Sequence, residues 1–275
     1  MFRRVFTTGA KLASGLAAVQ MSAAAVALTD KQLNKKPEWY KNAVLSLEDS
    51  LKKLSTYAYI ESSETLENAE AALKKVADIE NTEILWRLAR VLAEKAELTK
   101  NGDEKKKLLK EAAGYAKKAL AIEPSSGSAG AHKWYAIIIC QLLHADPKVP
   151  KNKIADLKSD VKKHLERATE IDPKDPFTWH LLGRYHYENK DYKEAINYFQ
   201  KAEGIKSRFS AANLYYLGSC QVHLGKKPDA IDTLKNAYLL QAKNKHDGKA
   251  KSEAKRILLS TLKQKVEDIE AKSEW

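Results

Sequence analysis

With 275 residues and 44% hydrophobic content, the chain holds enough apolar side chain for one or two packed domains. Only 7 prolines and 11 glycines accompany an excess of Ala, Leu, Lys and Glu, which excludes a turn-rich sandwich or barrel; the two isolated cysteines, Cys140 and Cys220, exclude a disulfide framework or a CxxC pair and fit a reducing compartment. A formal charge of +12 favours a polyanionic partner, whether nucleic acid, anionic lipid or an acidic protein surface.

Residues 1–29 carry Arg3, Arg4 and Lys11 and no acidic side chain. Phe2, Val5, Phe6, Gly9, Leu12, Ala13 and Leu16 form one stripe at helical spacing, with Arg4, Thr8 and Lys11 off it. This is the pattern of a mitochondrial presequence, and it predicts a targeting segment over 1–30, poorly ordered or folded as a single amphipathic helix. A secretory signal and a membrane anchor over Leu12 to Leu28 compete with that reading, although the anchor is alanine-rich and interrupted by Gln20.

Residues 31–82 predict two capping helices, Glu38 to Leu54 and Ser63 to Ile79. In the second, Ser63 stands before the apolar positions Leu66, Ala69, Leu73 and Val76. Caps are needed because a stack of helical hairpins leaves an apolar face open at each end.

Residues 83–244 read as four repeats, 83–125, 131–175, 176–210 and 211–244. The third is the clearest: Trp179, Leu182 and Gly183 lie on a first helix, Asn189-Lys190-Asp191 makes a turn, and Ala195, Phe199 and Ala202 follow on a second. Gly183 and Ala195 are small where two antiparallel helices cross closely, and the large residues fill the interface. The fourth repeats this with Leu214, Leu217, Gly218, Ala230, Leu234 and Ala237 around a Gly225 turn. Trp86 and Trp134 open the first two, each with about ten residues more than the usual ~34, near Thr99 to Lys107 and His144 to Ala155. The expected fold is therefore all-α, a tetratricopeptide-like right-handed superhelix of stacked antiparallel helix pairs. Longer helices and longer loops both accommodate the extra residues.

Residues 245–275 predict a basic C-terminal capping helix, long and running from Gly248 to Ala271. Lys243 to Lys265 contains Lys243, Lys245, Lys249, Lys251, Lys255, Arg256, Lys263 and Lys265 against Asp247 and Glu253.

Several segments together carry a more specific likeness: EILWRLAR at Glu83 to Arg90, AHKWYAI at Ala131 to Ile137, LERATEIDPKDPFTWHLLG at Leu165 to Gly183 and AINYFQKAE at Ala195 to Glu203. On these the chain resembles the regulator of microtubule dynamics proteins from about Glu83 to Leu240. The resemblance implies a scaffold that associates with microtubules and spindle poles and supports chromosome segregation, with some members at mitochondria. It thereby adds cytoplasm, cytoskeleton and spindle pole as alternative locations. One branch with a similar fold is a mitochondrial outer-membrane tether whose repeat domain binds phospholipid; this chain lacks that branch's long disordered segment and strong N-terminal apolar run.

No catalytic residue, metal site or cofactor is expected. The seven histidines show no HExxH or paired Cys/His spacing, His180 and His186 fall on different faces of one helix, and Gly218 to Lys227 lacks the glycine spacing of a phosphate loop. Binding is expected on the first helices, which line the concave side of such a stack. Positions one and five after each tryptophan-equivalent residue give a candidate groove of Arg87, Val91, Tyr135, Ile139, His180, Arg184, Tyr187, Tyr215, Ser219 and His223, with Tyr187 and His223 a turn or so further along. Arginine beside tyrosine suits an acidic peptide or an anionic phospholipid head group. Packing against the next hairpin is the competing role for the aromatics. A second surface, Lys249, Lys251, Lys255 and Arg256, suits the acidic tails of tubulin, and the absence of any recognition motif argues against nucleic acid.

Overall fold

The computed structural model describes residues 59–270 apart from 76, 78–80 and 147, together with Glu38, Asn42 and Asp49. The expected targeting segment and the helix predicted over Glu38 to Leu54 lie outside these residues, the three isolated positions aside. The chain divides into two compact units, Met1–Asp172 and Pro173–Trp275.

The first unit contains α1 (Ser63–Lys74), α2 (Thr82–Leu98), α3 (Gly102–Ala121), α4 (Ala129–Ala145) and α5 (Lys151–Ile171). Here α2 packs antiparallel on α3 and α4 on α5, with α1 against α2. Side-chain caps set most of the helix starts: Asn81 accepts from Glu83 and Ile84, Asn101 from Asp103 and Glu104, and Ser128 from Ala131. Ser62, one residue before the position expected from the sequence, caps α1 by accepting from the Thr65 N–H at 3.2 Å.

The second unit contains α6 (Pro176–Glu188), α7 (Tyr192–Ile205), α8 (Ala211–His223), α9 (Lys227–Leu239), α10 (Lys245–Ser260) and α11 (Val266–Glu270). Lys190 and Gly225 hold left-handed backbone at equivalent points after α6 and α8, with φ of 61° and 74°. Each turn is closed by the same three backbone hydrogen bonds, such as Asp191 N–H to His186 C=O and Lys226 N–H to Gln221 C=O, both 2.9 Å. The long closing helix expected from the sequence is two helices. The chain breaks after Ser260, where Lys263 takes a φ of 56°, and Ile269 then buries itself fully beside Leu258 and Ala254. The first of the two, α10, lies against both α8 and α9, as the first helix of another pair would.

The extra residues of the first two repeats extend helices and do not form long loops. In these two pairs α2 and α4 have 17 residues each and α3 and α5 have 20 and 21, against 13 or 14 for α6 to α9.

The close crossings behave as their small residues require. A Cβ on Gly183 would stand 2.5 Å from Phe199 Cε1, and one on Gly218 2.6 Å from Leu234 Cγ. Phe199 is fully buried and has nowhere to yield. Gly183→Ala is therefore expected to lower stability by about 1–3 kcal/mol through overpacking. Gly114→Ala, on an exposed part of α3 with nothing within 4 Å, should instead raise it by about 0.5–1 kcal/mol. Calorimetric midpoints moving in opposite directions check the pair.

Candidate functional site

In the second unit, α6, α8 and α10 present one face. Arg184 on α6 keeps 35% of its side chain exposed, pairs with Glu188 at 3.0 Å, and lays its guanidinium 5.2 Å from the centre of the Tyr216 ring. Tyr187, one turn on, meets Tyr216 edge-on at 5.0 Å and Tyr192 at 5.6 Å. Tyr192 stacks flat on the exposed His223 ring at 4.2 Å. Tyr215 on α8 stands edge-on to Tyr216 at 5.0 Å and close enough to Arg256 and Glu253 of α10 to feel both charges. Burial pushes the Tyr187 phenol up to about 12 and moves Tyr215 upward as well, so both are neutral donors at physiological pH.

The basic helix and the arginine-tyrosine groove, separate surfaces in the sequence, thus adjoin where α10 packs on α8, with Arg256 within electrostatic reach of Tyr215. Two of the four basic candidates do not belong to an open surface. Lys251 donates to the Leu240 carbonyl at 2.6 Å, and Lys255 donates to Tyr238 Oη at 3.1 Å and Glu270 at 3.0 Å; both tie α10 to its neighbours. Lys249 and Arg256 are exposed, the latter paired with Glu253.

His180 is also internal, at 4% exposure. Asn213 Nδ2 donates to the Phe199 carbonyl at 3.1 Å and to Glu203 at 2.8 Å, so its Oδ1 accepts, and His180 Nδ1–H donates to it at 3.0 Å. The position one after the tryptophan faces the next first helix, and here that helix covers it. Ser219 is buried too, and the Cys220 thiol, pushed up to about 12 by burial, is no nucleophile.

The groove positions of the first unit are occupied internally. Arg87 is buried, bonded to Glu83 and lying over the Trp86 ring at 4.2 Å. Val91 and Ile139 are core. Tyr135 is buried and donates to Asp160 of α5 at 2.7 Å. Arg87 and Tyr135 are in fact the two ends of one polar chain that the sequence did not reveal. Glu83 accepts from Ser128 Oγ at 2.9 Å, Ser128 N–H donates to Glu123 at 3.0 Å, and Glu123 meets His132 Nε2 at 3.2 Å. His132 Nδ1 lies 2.7 Å from His164 Nδ1, and His164 Nε2 lies 3.6 Å from Asp160. Only one of the two facing Nδ1 atoms can carry a proton, and burial lowers both histidines. Nearby, Arg90 and Glu94 form a buried pair at 3.3 Å, with Arg90 5.0 Å from the centre of the Trp134 ring and burial pushing Glu94 up to about 7. These groups cross-link α2, α4 and α5. Among the described residues no group of three or more His, Cys, Asp or Glu side chains could hold a metal ion.

Helical hairpins crossing at small residues, with a face of arginine and neutral tyrosine, define a tetratricopeptide-type repeat protein. A solved thermophilic tetratricopeptide protein from Thermus thermophilus has the same fold, with a TM-score of 0.57 at 12% identity over 78% of this chain and 99% of its own. The model of Regulator of microtubule dynamics protein 1-3 matches residues 50–192 and 188–263. Regulator of microtubule dynamics protein 1 of Mus musculus is 36% identical over 223 residues, 74% of this chain and 71% of its own length. Regulator of microtubule dynamics protein 2 of the same organism is 30% identical over 201 residues, 66% of this chain and 48% of its own. The chain belongs to the regulator of microtubule dynamics family.

Proposed function

We propose that this chain is a non-enzymatic scaffold of microtubule regulation whose second unit holds an extended acidic peptide, such as an acidic tail of tubulin, across α6, α8 and α10. The observation that carries the reading is Arg184 laid on Tyr216, with Tyr187 and Tyr215 each edge-on to the same ring and the exposed Arg256 on the helix packed against α8. A carboxylate there meets a guanidinium preorganised on an aromatic face and neutral phenols able to donate. A role in spindle function and chromosome segregation goes with that reading. Co-sedimentation with microtubules that carry or lack the acidic tails tests it. Binding should fall about tenfold or more on removing the tails, on adding salt, or in Arg184→Glu with Arg256→Glu. Equal absence of binding to both kinds of microtubule would sink it.

A second reading follows from residues 1–29, whose acid-free amphipathic pattern supports a mitochondrial adaptor or phospholipid binder. Cytoplasm, cytoskeleton and spindle pole are the alternatives. A fusion of residues 1–30 to a fluorescent protein separates the compartments, and mass spectrometry of the purified protein for bound phospholipid decides whether lipid replaces peptide on the face.

A further inference from the structure

The extended ends of the first two hairpins come together on one edge of the first unit. Lys106 Nζ of α3 binds Asp146 at the end of α4 at 2.7 Å. That hydrogen bond, with Lys110 also near, holds the Asp146 carboxyl below the usual carboxylate range. Around this clasp Lys100, Lys107 and Lys110 from the α2–α3 side and Lys148, Lys151 and Lys153 from the α4–α5 side are all exposed. Of the neighbouring acids, Glu97 pairs with Lys105 at 2.9 Å and Asp146 with Lys106, Glu104 accepts from Thr99 Oγ1 at 3.0 Å, and Asp103 and Asp156 are exposed. Over 97–110 and 146–156 the edge carries 8 lysines against 5 acids, and it is positive on balance. Its lysines also work against the local helix. Pro150 at the start of α5 makes no side-chain cap, no acidic residue stands in the first turn, and Lys151 and Lys153 sit at the positive end of a 21-residue helix. Helices α2, α3, α7, α9 and α10 each place an acid there. Charges that oppose the helix carrying them point to a role outside folding.

We propose that this edge is a docking surface for an anionic lipid bilayer. The exposed cations of this edge are all lysine, compact hydrated charges on flexible stems, and they spread over two hairpin ends with no arginine, phenylalanine, tyrosine or tryptophan beside them. That composition matches a plane of headgroups and contrasts with the arginine-tyrosine face of the second unit, which suits a seated chain. Lysines near an anionic leaflet each add roughly fivefold to partitioning, and the attraction decays within a Debye length. The inference concerns the first unit alone and is independent of the peptide reading.

The test is flotation of the full chain with phosphatidylcholine vesicles, with and without phosphatidylserine, at low and raised salt. The unaltered protein should float only with the anionic vesicles and lose binding with salt. Lys107→Glu, Lys110→Glu, Lys151→Glu and Lys153→Glu together should weaken flotation about tenfold or more. Lys193→Glu, Lys206→Glu, Lys226→Glu and Lys227→Glu, an equal change of charge on exposed lysines of the second unit, should cost less than about threefold. Far-UV circular dichroism confirms that both variants fold. No binding to anionic vesicles, or equal losses in the two variants, overturns the proposal. Full binding by the first variant does so too, since residues 1–29 would then carry the contact. Retention on immobilised polyglutamate in place of vesicles, lost in the first variant, would replace the bilayer by an acidic polypeptide.

Discussion

Asp247→Ala is expected to destabilise the second unit by about 3 kcal/mol, because it removes a buried carboxylate and leaves Ser210 Oγ and the Lys243 N–H without their acceptor, while the Ala212 N–H keeps only Ser210 Oγ at 3.1 Å. Asp247 is 1% exposed. Its Oδ1 accepts from Ser210 Oγ at 2.8 Å and from the Ala212 N–H at 3.1 Å, and its Oδ2 accepts from the Lys243 N–H at 3.2 Å. One residue of α10 therefore caps the start of α8 and holds the turn before its own helix. The carboxylate also sits at the positive end of α8, where negative charge is favoured. Native-state hydrogen exchange on the full chain checks the value: α8 and α10 amides should exchange about a hundredfold faster, with the first unit unchanged. Asp247→Asn should recover little, since its amide nitrogen would confront N–H donors. A loss below about 1 kcal/mol in the alanine variant would show the carboxylate to be an ordinary surface cap.

The consequence reaches the proposed peptide face, whose third wall is α10. Arg256 and Lys249 are in place only while α10 is docked on α8, so Asp247 positions the basic side chains without touching a ligand. In the sequence this residue stands as one of two acids in a lysine run, with no sign that it points inward.

That difference shows what was legible and why. Motifs built on size or backbone conformation could be read directly: Gly183 and Gly218 at the crossings, Ala195 and Ala230 opposite them, and Gly225 at its turn occupy positions where only small residues or glycine fit, while the turn at Lys190 was legible through Asn189 and Asp191 on either side of it. Groove residues follow from contacts with other helices, which spacing does not report. Arg87, Tyr135 and His180 occupy the same position relative to the first-helix core as Tyr215, yet all three are buried and Tyr215 is half exposed. The polar chain through His132 and His164 was illegible for a similar reason. The two rings meet across helices, 32 residues apart, and only His132 with Tyr135 and Asp160 with His164 leave a trace at helical spacing. The break after Ser260 was missed because Lys263, which takes the left-handed conformation there, is a residue that gives no breaker signal.

The second unit should lose stability steeply in acid, and His180 should account for much of the loss. Complete burial, with Arg184 nearby adding to it, pulls the His180 imidazole down to about 3, against about 6.5 for an exposed histidine. Between these values the unfolded chain binds a proton that the folded chain does not. The contribution of the neutral ring is thus fully present above about pH 6.5 and is lost as the pH falls through about 3. At about 1.4 kcal/mol for each pKa unit the span is about 4–5 kcal/mol. His180→Gln, a neutral side chain able to donate to Asn213 Oδ1, should cost some stability at pH 7 through poorer packing against Phe199 and Phe209. Its own stability should then change less with pH. The decisive quantity is the gap between the unaltered protein and His180→Gln in exchange protection of α6 and α8 amides across that range. It should narrow by about 3 kcal/mol or more on acidification, a change large enough to reverse its sign if the packing loss at pH 7 is smaller than that. A gap that stays constant would mean that His180 is protonated in the folded unit, and that the Asn213 carbonyl accepts from a cation.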